Sequence, residues 1–363
     1  MKVGITIGFN NSTKGKDYNL FVNGLRQHIF FLADTLKNIK EVKDVFIVNV
    51  GTNHHSEQSL PKGYKFKEFD EVKNDIAVLI ELGMEVSRER VQYLKGRGCK
   101  FIGYGAGNSY IIGLEKMIFS DTKGDLAVRK DLFDEFWTNE QHLNTNKYFW
   151  EGILDTEVKS FTHVWSPSFI DKAVKFEKFK NETPYISILE PNINVVKSFI
   201  YPLLIAEKVH RSNKDLIKHV FLTNTYKLKE KPMFRRIYKS MDLHTDKKLS
   251  SEGRFKTVDY LNKYGDIIVG HQWENGLNYL YYELLHLNYP FVHNSPFIKD
   301  YGYYYPGFNV EAGAKQLKKS IIKHMDNKKE YDEKCKRLIW SVSPYNPDVI
   351  EEYRQGLLNL LKK

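Results

Sequence analysis

The sequence predicts an α/β protein built from two Rossmann-like, doubly wound domains. Three observations lead there. Short apolar runs alternate with segments of helical periodicity, the pattern of parallel strands joined by crossover helices. The chain has 363 residues, long for one core and suited to two. The alternation is interrupted once, by the charged, proline-ended stretch Asp171 to Pro184, and then restarts. The expected division is a first domain over 1–175, a second over 184–340, and a C-terminal helix over 341–363 packing back toward the first. Two such domains in succession are expected to face a cleft, with ligands at the carboxyl ends of the strands.

The elements follow in order. "KVGITIGF" is a strand, and "FVNGLRQHIFFLADTLKNI" a helix with Leu25, Ile29, Leu32 and Leu36 on one face. "DVFIVNV" and "IAVLIEL" are strands, "VSRERVQYLKGRG" is a helix with a glycine stop, and "KFIGYGAG", "DEFWTNEQ" and "SFTHVWSP" complete the first half. In the second half "YISILE", "HVFLTN", "DIIVG" and "YPFVHNS" read as strands. "NVVKSFIYPLLIAEKVHRS", "AGAKQLKKSIIKHMDN" and "PDVIEEYRQGLLNLLKK" read as helices.

Composition narrows the class. The two cysteines, Cys99 and Cys335, exclude a disulfide framework or a cysteine-rich zinc site and suit a reducing compartment. The apolar start is a first strand rather than a leader, and the longest apolar run, "FIYPLLIA", falls far short of the ~20 residues that span a bilayer. A cytoplasmic protein is expected. The net charge of +10 favours an anionic partner. From Lys227 to Lys256 ten basic residues face four acids, so more than half of the excess lies there, with Lys227, Lys229, Arg235 and Arg236 among them. That stretch is either a solvated face or a surface for an anionic acceptor, nucleic acid or lipid headgroups.

Three polar clusters follow predicted strands. The first runs from Gly8 to His28 and holds Asp17, Asn23, Arg26 and His28; long loops in compact domains tend to be functional, although a solvated loop and helix cap is the plain alternative. The second is "EPNINVVKS", in which Glu190 closes an apolar strand where a bare carboxylate is costly. Asn192 and Lys197 lie in its turn, which either offers backbone N–H groups to phosphate or simply caps a helix. The third is "GHQWENGLNYLYYELLHLNYPFVHNS": His271 and Gly270 end a strand, Glu274, Asn275 and Gly276 lie in the following loop, Glu283 lies on the helix, and His293, Asn294 and Ser295 end the next strand. His293 either touches phosphate or is a core histidine.

A strand, a turn with one Glu and a helix with a second Glu resemble the paired-glutamate motif of retaining GT-B glycosyltransferases. The segment "ELLHLNYPFV" matches its second half in spacing. More broadly, "NGLRQHIFFLADTL", "VWSPSF", "EPNINVVKSFIYPLLIAE", "HQWENGLNYLYYELLHLNYPFVHNS" and "GYYYPGF" resemble, over nearly the whole chain, a bacterial and phage family known as a domain of unknown function and placed among GT-B-like glycosyltransferases. The resemblance implies that Glu283 binds the ribose hydroxyls of a nucleotide sugar, a diol matched to a bidentate acceptor. It implies a donor-sugar or phosphate role for Glu274 or Asn275, because the two glutamates are nine residues apart rather than eight and Asn275 falls at the first glutamate's place. His271, Gly276, Asn294 and Ser295 would lie beside them, and Glu190, Asn192 and Lys197 on the facing turn.

The expected activity is transfer of a sugar from a nucleotide-diphosphate donor to a hydroxyl, on hydroxymethylated-base DNA or on a surface glycan. Glu274, Asp17 and His28 are the catalytic candidates; Lys227, Lys229, Arg235, Arg236, Asn23 and Arg26 are the acceptor-side candidates. No D-x-D or H-E-x-x-H motif occurs, so neither a metal nor a further cofactor is expected. There is no transmembrane run, and peripheral membrane contact is compatible with the basic stretch. The alternative is a non-catalytic basic module that binds nucleic acid or glycan and reuses the fold.

Overall fold

A computed structural model describes residues 1–9, 24–52, 60–119, 129–170 and 173–363. The chain divides into two compact units, Met1–Ser166 with Trp340–Lys363, and Pro167–Ile339.

The first unit is built on β1 (Lys2–Ile7), α1 (Gly24–Lys37), β2 (Asp44–Asn49), β3 (Lys65–Glu68), α2 (Phe69–Val72), β4 (Val78–Glu81), α3 (Arg88–Gly96), β5 (Lys100–Gly105), α4 (Ser109–Phe119), β6 (Glu135–Asn139), α5 (Tyr148–Leu154) and β7 (Val158–Phe161). The strands form one sheet in the order β3-β2-β1-β4-β5-β6-β7, every pair parallel. Central strands of such a sheet are covered on both faces, which is why β1, β4 and β5 are nearly continuous runs of buried residues. Edge strand β3, "KFKE", is half exposed; its charges hid it from an apolar-run reading.

The second unit contains β8 (Tyr185–Ile188), α6 (Ile200–Ser212), β9 (His219–Leu222), α7 (Pro232–Lys239), α8 (Asp242–Thr245), β10 (Leu249–Ser251), α9 (Thr257–Tyr264), β11 (Ile267–Val269), α10 (Tyr279–His286), β12 (Phe291–His293), β13 (Tyr303–Tyr304), α11 (Val310–Lys323) and most of α12 (Lys328–Ser341). Its sheet is again parallel, in the order β10-β9-β8-β11-β12-β13. The strand order reverses between β8 and β11, and that switch point is where doubly wound sheets open a crevice for ligands.

Two stretches differ from their sequence reading. The charged segment before Tyr185 is packed onto the second unit. Phe176 is buried against Tyr289 and His324, its N–H donates to Leu287 O at 2.7 Å, and the Asp266 carboxylate accepts the N–H groups of Lys180 and Tyr185. The helix expected from Asn194 begins only at Ile200, because Asn192 Oδ1 accepts the Phe199 N–H at 2.8 Å and the residues between are held out as a loop.

The C-terminal helix α13 (Pro347–Lys362) belongs to the first unit. Its Tyr353 hydroxyl donates to Thr162 O at 2.9 Å and so must accept from Tyr104 at 3.0 Å. The Tyr104 oxygen therefore accepts in turn, from Asn139 Nδ2 at 3.0 Å and from His28 Nε2 at 3.1 Å. Among the described residues no helix is long and apolar enough to cross a membrane.

Candidate functional site

The second unit's switch point is knitted together by its own polar side chains. Glu190 follows β8 and is buried; its Oε1 accepts the backbone N–H of His271, which follows β11, at 2.9 Å. The Glu190 backbone carbonyl accepts from Asn192 Nδ2 at 2.8 Å and from Asn224 Nδ2 at 3.1 Å, and both asparagines take left-handed backbone angles, φ +54° and +58°. Short polar side chains tolerate that conformation by bonding locally. The loop from Glu190 to Ser198 is therefore fixed rather than merely solvated.

Asn294, after β12, acts as a surrogate strand. Its Oδ1 accepts Gln272 N–H and its Nδ2 donates to Gln272 O, both at 2.8 Å, with a further bond to Gly307 O at 3.0 Å. Gln272 Oε1 accepts the Asn275 N–H at 2.8 Å, and Ser295 Oγ donates to Gly276 O at 2.7 Å. A Cβ at Gly276 would lie 2.7 Å from the Phe297 ring and 2.9 Å from Ser295 Oγ, so no larger residue fits without displacing one of them. A Cβ at Gly270 would lie 3.1 Å from Glu190 Oε1.

His271 is held in one tautomer. The Tyr305 hydroxyl donates to Gly270 O at 3.0 Å, so it accepts from His271 Nδ1–H at 3.0 Å and leaves Nε2 as a bare acceptor. The ring stacks on Tyr201 and meets Phe308 edge-on, and burial lowers its pKa to about 4. Glu190 Oε2, His271 Nε2 and the Tyr281 hydroxyl are buried polar atoms with no hydrogen-bond partner among the described residues. Buried groups left so are costly; a ligand hydroxyl could donate to the Glu190 and His271 acceptors, and the Tyr281 hydroxyl could donate to a ligand oxygen.

Glu190 and Lys197 perturb one another. Burial raises the Glu190 carboxyl pKa, opposed by the His271 N–H and the Lys197 charge; burial lowers the Lys197 ammonium pKa, opposed by the Glu190 charge. Glu274 sits in the loop after β11 at φ +53°, half-buried, with its carboxyl pKa raised by that burial. Glu283 is buried on α10, whose first turn is capped by Asn278.

The candidates thus fall into separate groups. Glu190, Asn192, Lys197, His271, Glu274, Asn275, Gly276, Glu283, Asn294 and Ser295 all follow β8, β11 or β12 or lie on the helix after β11. Lys227, Lys229, Arg235 and Arg236 are exposed on the turn Tyr226–Glu230 and on α7. His28 is wholly buried in the first unit as a donor to Tyr104, and burial lowers its pKa to about 3, far from the value of a working base at neutral pH. Arg26 is half-buried in the first turn of α1; Asp17 and Asn23 lie outside the described residues. His293 is a core histidine: Nδ1 accepts the Ser295 N–H at 3.2 Å, and Nε2 donates to Tyr301 O at 2.7 Å.

Sequence reasoning passed over a polar group in the first unit. After β6, Asn146 braces the loop before α4, accepting from Tyr110 N–H and donating to Gly107 O, while Asn108 donates to Thr145 Oγ1. The residues Leu143–Lys147 form a π-helical turn, a feature enriched at functional sites. The run "NEQHLNTNK" after a strand was the available signal. Among the described residues no group of three or more His, Cys, Asp or Glu converges as a metal site requires.

Residues 3–357 match the family described as protein of unknown function, DUF2827, and the chain belongs to that family. No curated protein matches it in sequence. Among solved structures it is similar to Anabaena HepE in complex with UDP-glucose, at 9% identity over 99% of each chain with a TM-score of 0.58. It is similar to a glycosyltransferase from Rickettsia africae, at 11% identity over 100% of this chain and 99% of that one, TM-score 0.54. It is also similar to S. aureus TarM in complex with UDP, at 13% identity and TM-score 0.53, covering 81% of this chain; the chain spans 57% of that protein's length. At these identities the likeness is one of fold, the paired Rossmann-like domains of GT-B glycosyltransferases.

Proposed function

We propose that this member of the DUF2827 family is a GT-B glycosyltransferase that moves a sugar from a nucleotide-diphosphate donor to a hydroxyl acceptor. The observation that carries the reading is the bond between Glu190 and His271 across the switch point, with buried acceptor atoms left unpartnered beside it. It supports a ligand rich in hydroxyl groups, as a sugar and a ribose are, at the strand ends of the second unit.

In this reading the glycosidic bond from C1 to the diphosphate breaks and a bond from C1 to the acceptor oxygen forms. The acceptor proton leaves to a base, and negative charge grows on the departing diphosphate. Lys197, whose ammonium is held beside a buried carboxylate, and the positive end of α6 stabilise that charge without a metal ion. Glu283 accepts the ribose hydroxyls. Glu274, Asn275 and Gly276 line the donor sugar and phosphates, with Glu274 the candidate for the reacting centre. The acceptor is a hydroxyl of hydroxymethylated-base DNA or of a surface glycan.

The test is incubation of the full chain with a panel of nucleotide sugars and measurement of nucleoside-diphosphate release. Release from at least one donor supports the reading. Neither release nor binding with any donor supports a non-catalytic module instead.

A further inference from the structure

We propose that the face formed by the turn Tyr226–Glu230 and helix α7 docks on an anionic lipid surface. The inner side of α7 is fixed by Phe234, buried edge-on against Phe199, and by Tyr238, which stacks on Phe234 and donates its hydroxyl to Leu249 O at 2.8 Å. Residues 234 and 238 are one turn apart, so the opposite arc of the helix carries Met233, Arg235, Arg236 and Lys239, all exposed. Lys227, Lys229 and Lys231 extend the same basic surface, and Glu230 is the only acid between Tyr226 and Met241.

None of these six lysines and arginines pairs with a carboxylate among the described residues. Neighbouring surface cations do: Lys208 reaches Glu311 at 3.0 Å, Arg211 reaches Glu207 at 2.8 Å, and Lys214 reaches Asp246 at 2.8 Å. The positive field of α7 is therefore left for an external anion. Two large apolar side chains stand among the cations, Met233 at 65% exposure and Tyr226 at 61%. Lys229 Nζ lies 4.4 Å from the Tyr226 ring centroid.

This mixture decides between anionic partners. A duplex backbone would neutralise the cations but gives Met233 nothing. A bilayer surface does both: headgroups meet the charges, and the boundary with the acyl chains takes up methionine and tyrosine. The surface is a reversible dock, not an anchor. The proposal does not depend on sugar transfer, and its test uses no sugar donor.

The test is co-sedimentation of the full chain with vesicles of mixed phosphatidylglycerol and phosphatidylcholine, beside vesicles of phosphatidylcholine alone, at low and high salt. Duplex DNA is titrated by gel shift under the same conditions. Binding is expected to the anionic vesicles only, to weaken with salt, and to fall by at least about tenfold in the double variant Arg235→Glu, Arg236→Glu. Met233→Asp is expected to weaken binding while leaving its salt dependence in place. Lys227→Ala with Lys229→Ala repeats the charge arm should the reversal variant fail to fold, as judged by circular dichroism. Equal binding to neutral vesicles, wild-type binding by the charge variants, or tighter binding to duplex DNA than to anionic vesicles overturns the proposal.

Discussion

Glu190 and His271 are 81 residues apart, and the carboxylate of the first accepts the backbone N–H of the second at 2.9 Å. One acid thereby joins the ends of β8 and β11, the strands between which the sheet order reverses. The same carboxylate keeps its other oxygen unpartnered and sets the charge environment of Lys197, Tyr281 and Tyr305.

Replacing that acid separates the roles. Glu190→Ala leaves the buried His271 N–H without an acceptor and is expected to cost about 1–3 kcal/mol, read from the shift of the urea midpoint. Glu190→Gln retains an acceptor oxygen and is expected to lose less stability. If the two variants unfold alike, the bond to His271 is not what holds the turn.

Asn294 tests the surrogate strand. Asn294→Ala removes three hydrogen bonds to backbone, two of them to buried Gln272, and is expected to destabilise the protein by about 2–4 kcal/mol. Asn294→Asp keeps the acceptor for Gln272 N–H but loses both donors and buries a charge, so it is not expected to rescue. Native-state hydrogen exchange at Gln272 reports the change directly.

Lys197→Ala removes the cation proposed to meet the diphosphate. Affinity for the nucleoside diphosphate of the active donor, read by calorimetry, is expected to fall about ten- to a hundredfold, the worth of a charge-assisted bond. The corresponding nucleoside, which carries no phosphate, is expected to bind the variant as it binds the native protein.

Glu283→Gln is expected to weaken binding of the donor's nucleoside diphosphate by about tenfold and to erase discrimination against its 2′-deoxy analogue, because one carboxylate is proposed to accept both ribose hydroxyls. Undiminished discrimination in the variant would remove Glu283 from the ribose.

His28 carries the pH prediction. The unfolded chain protonates this imidazole below about 6.5, whereas burial holds it neutral down to about 3 in the fold. As pH falls through that window the unfolded state takes up a proton that the folded state refuses. Stability is lost at up to about 1.4 kcal/mol per pH unit. His28→Gln is expected to flatten that slope in urea titrations between neutral and acid pH, whatever its effect on stability at neutral pH.

Much of this was legible in the sequence, for stated reasons. Runs such as "VFIVN" and "IIV" are unbroken because both faces of a parallel sheet are covered, and the polar residues that follow them fall at strand ends by geometry. Glu190 and His271 could be singled out on that basis. Their bond could not, because it depends on which strands become neighbours. The start of α6 was misread because Asn192 reaches seven residues forward to Phe199, a tertiary choice that local propensity does not record. Strand β10, "LSS", has too little apolar content to stand out. His28 lies on a helix whose period was clear, yet its partners Tyr104 and Tyr353 come from distant parts of the chain.

Tyr353 also sets an order of events during synthesis. The hydroxyl relay from His28 through Tyr104 ends on a residue translated only after the whole Pro167–Ile339 unit, and α13 fills the first unit around it. The nascent amino-terminal sheet must wait on the ribosome, one flank uncovered, while the contiguous Pro167–Ile339 unit emerges and is free to fold first.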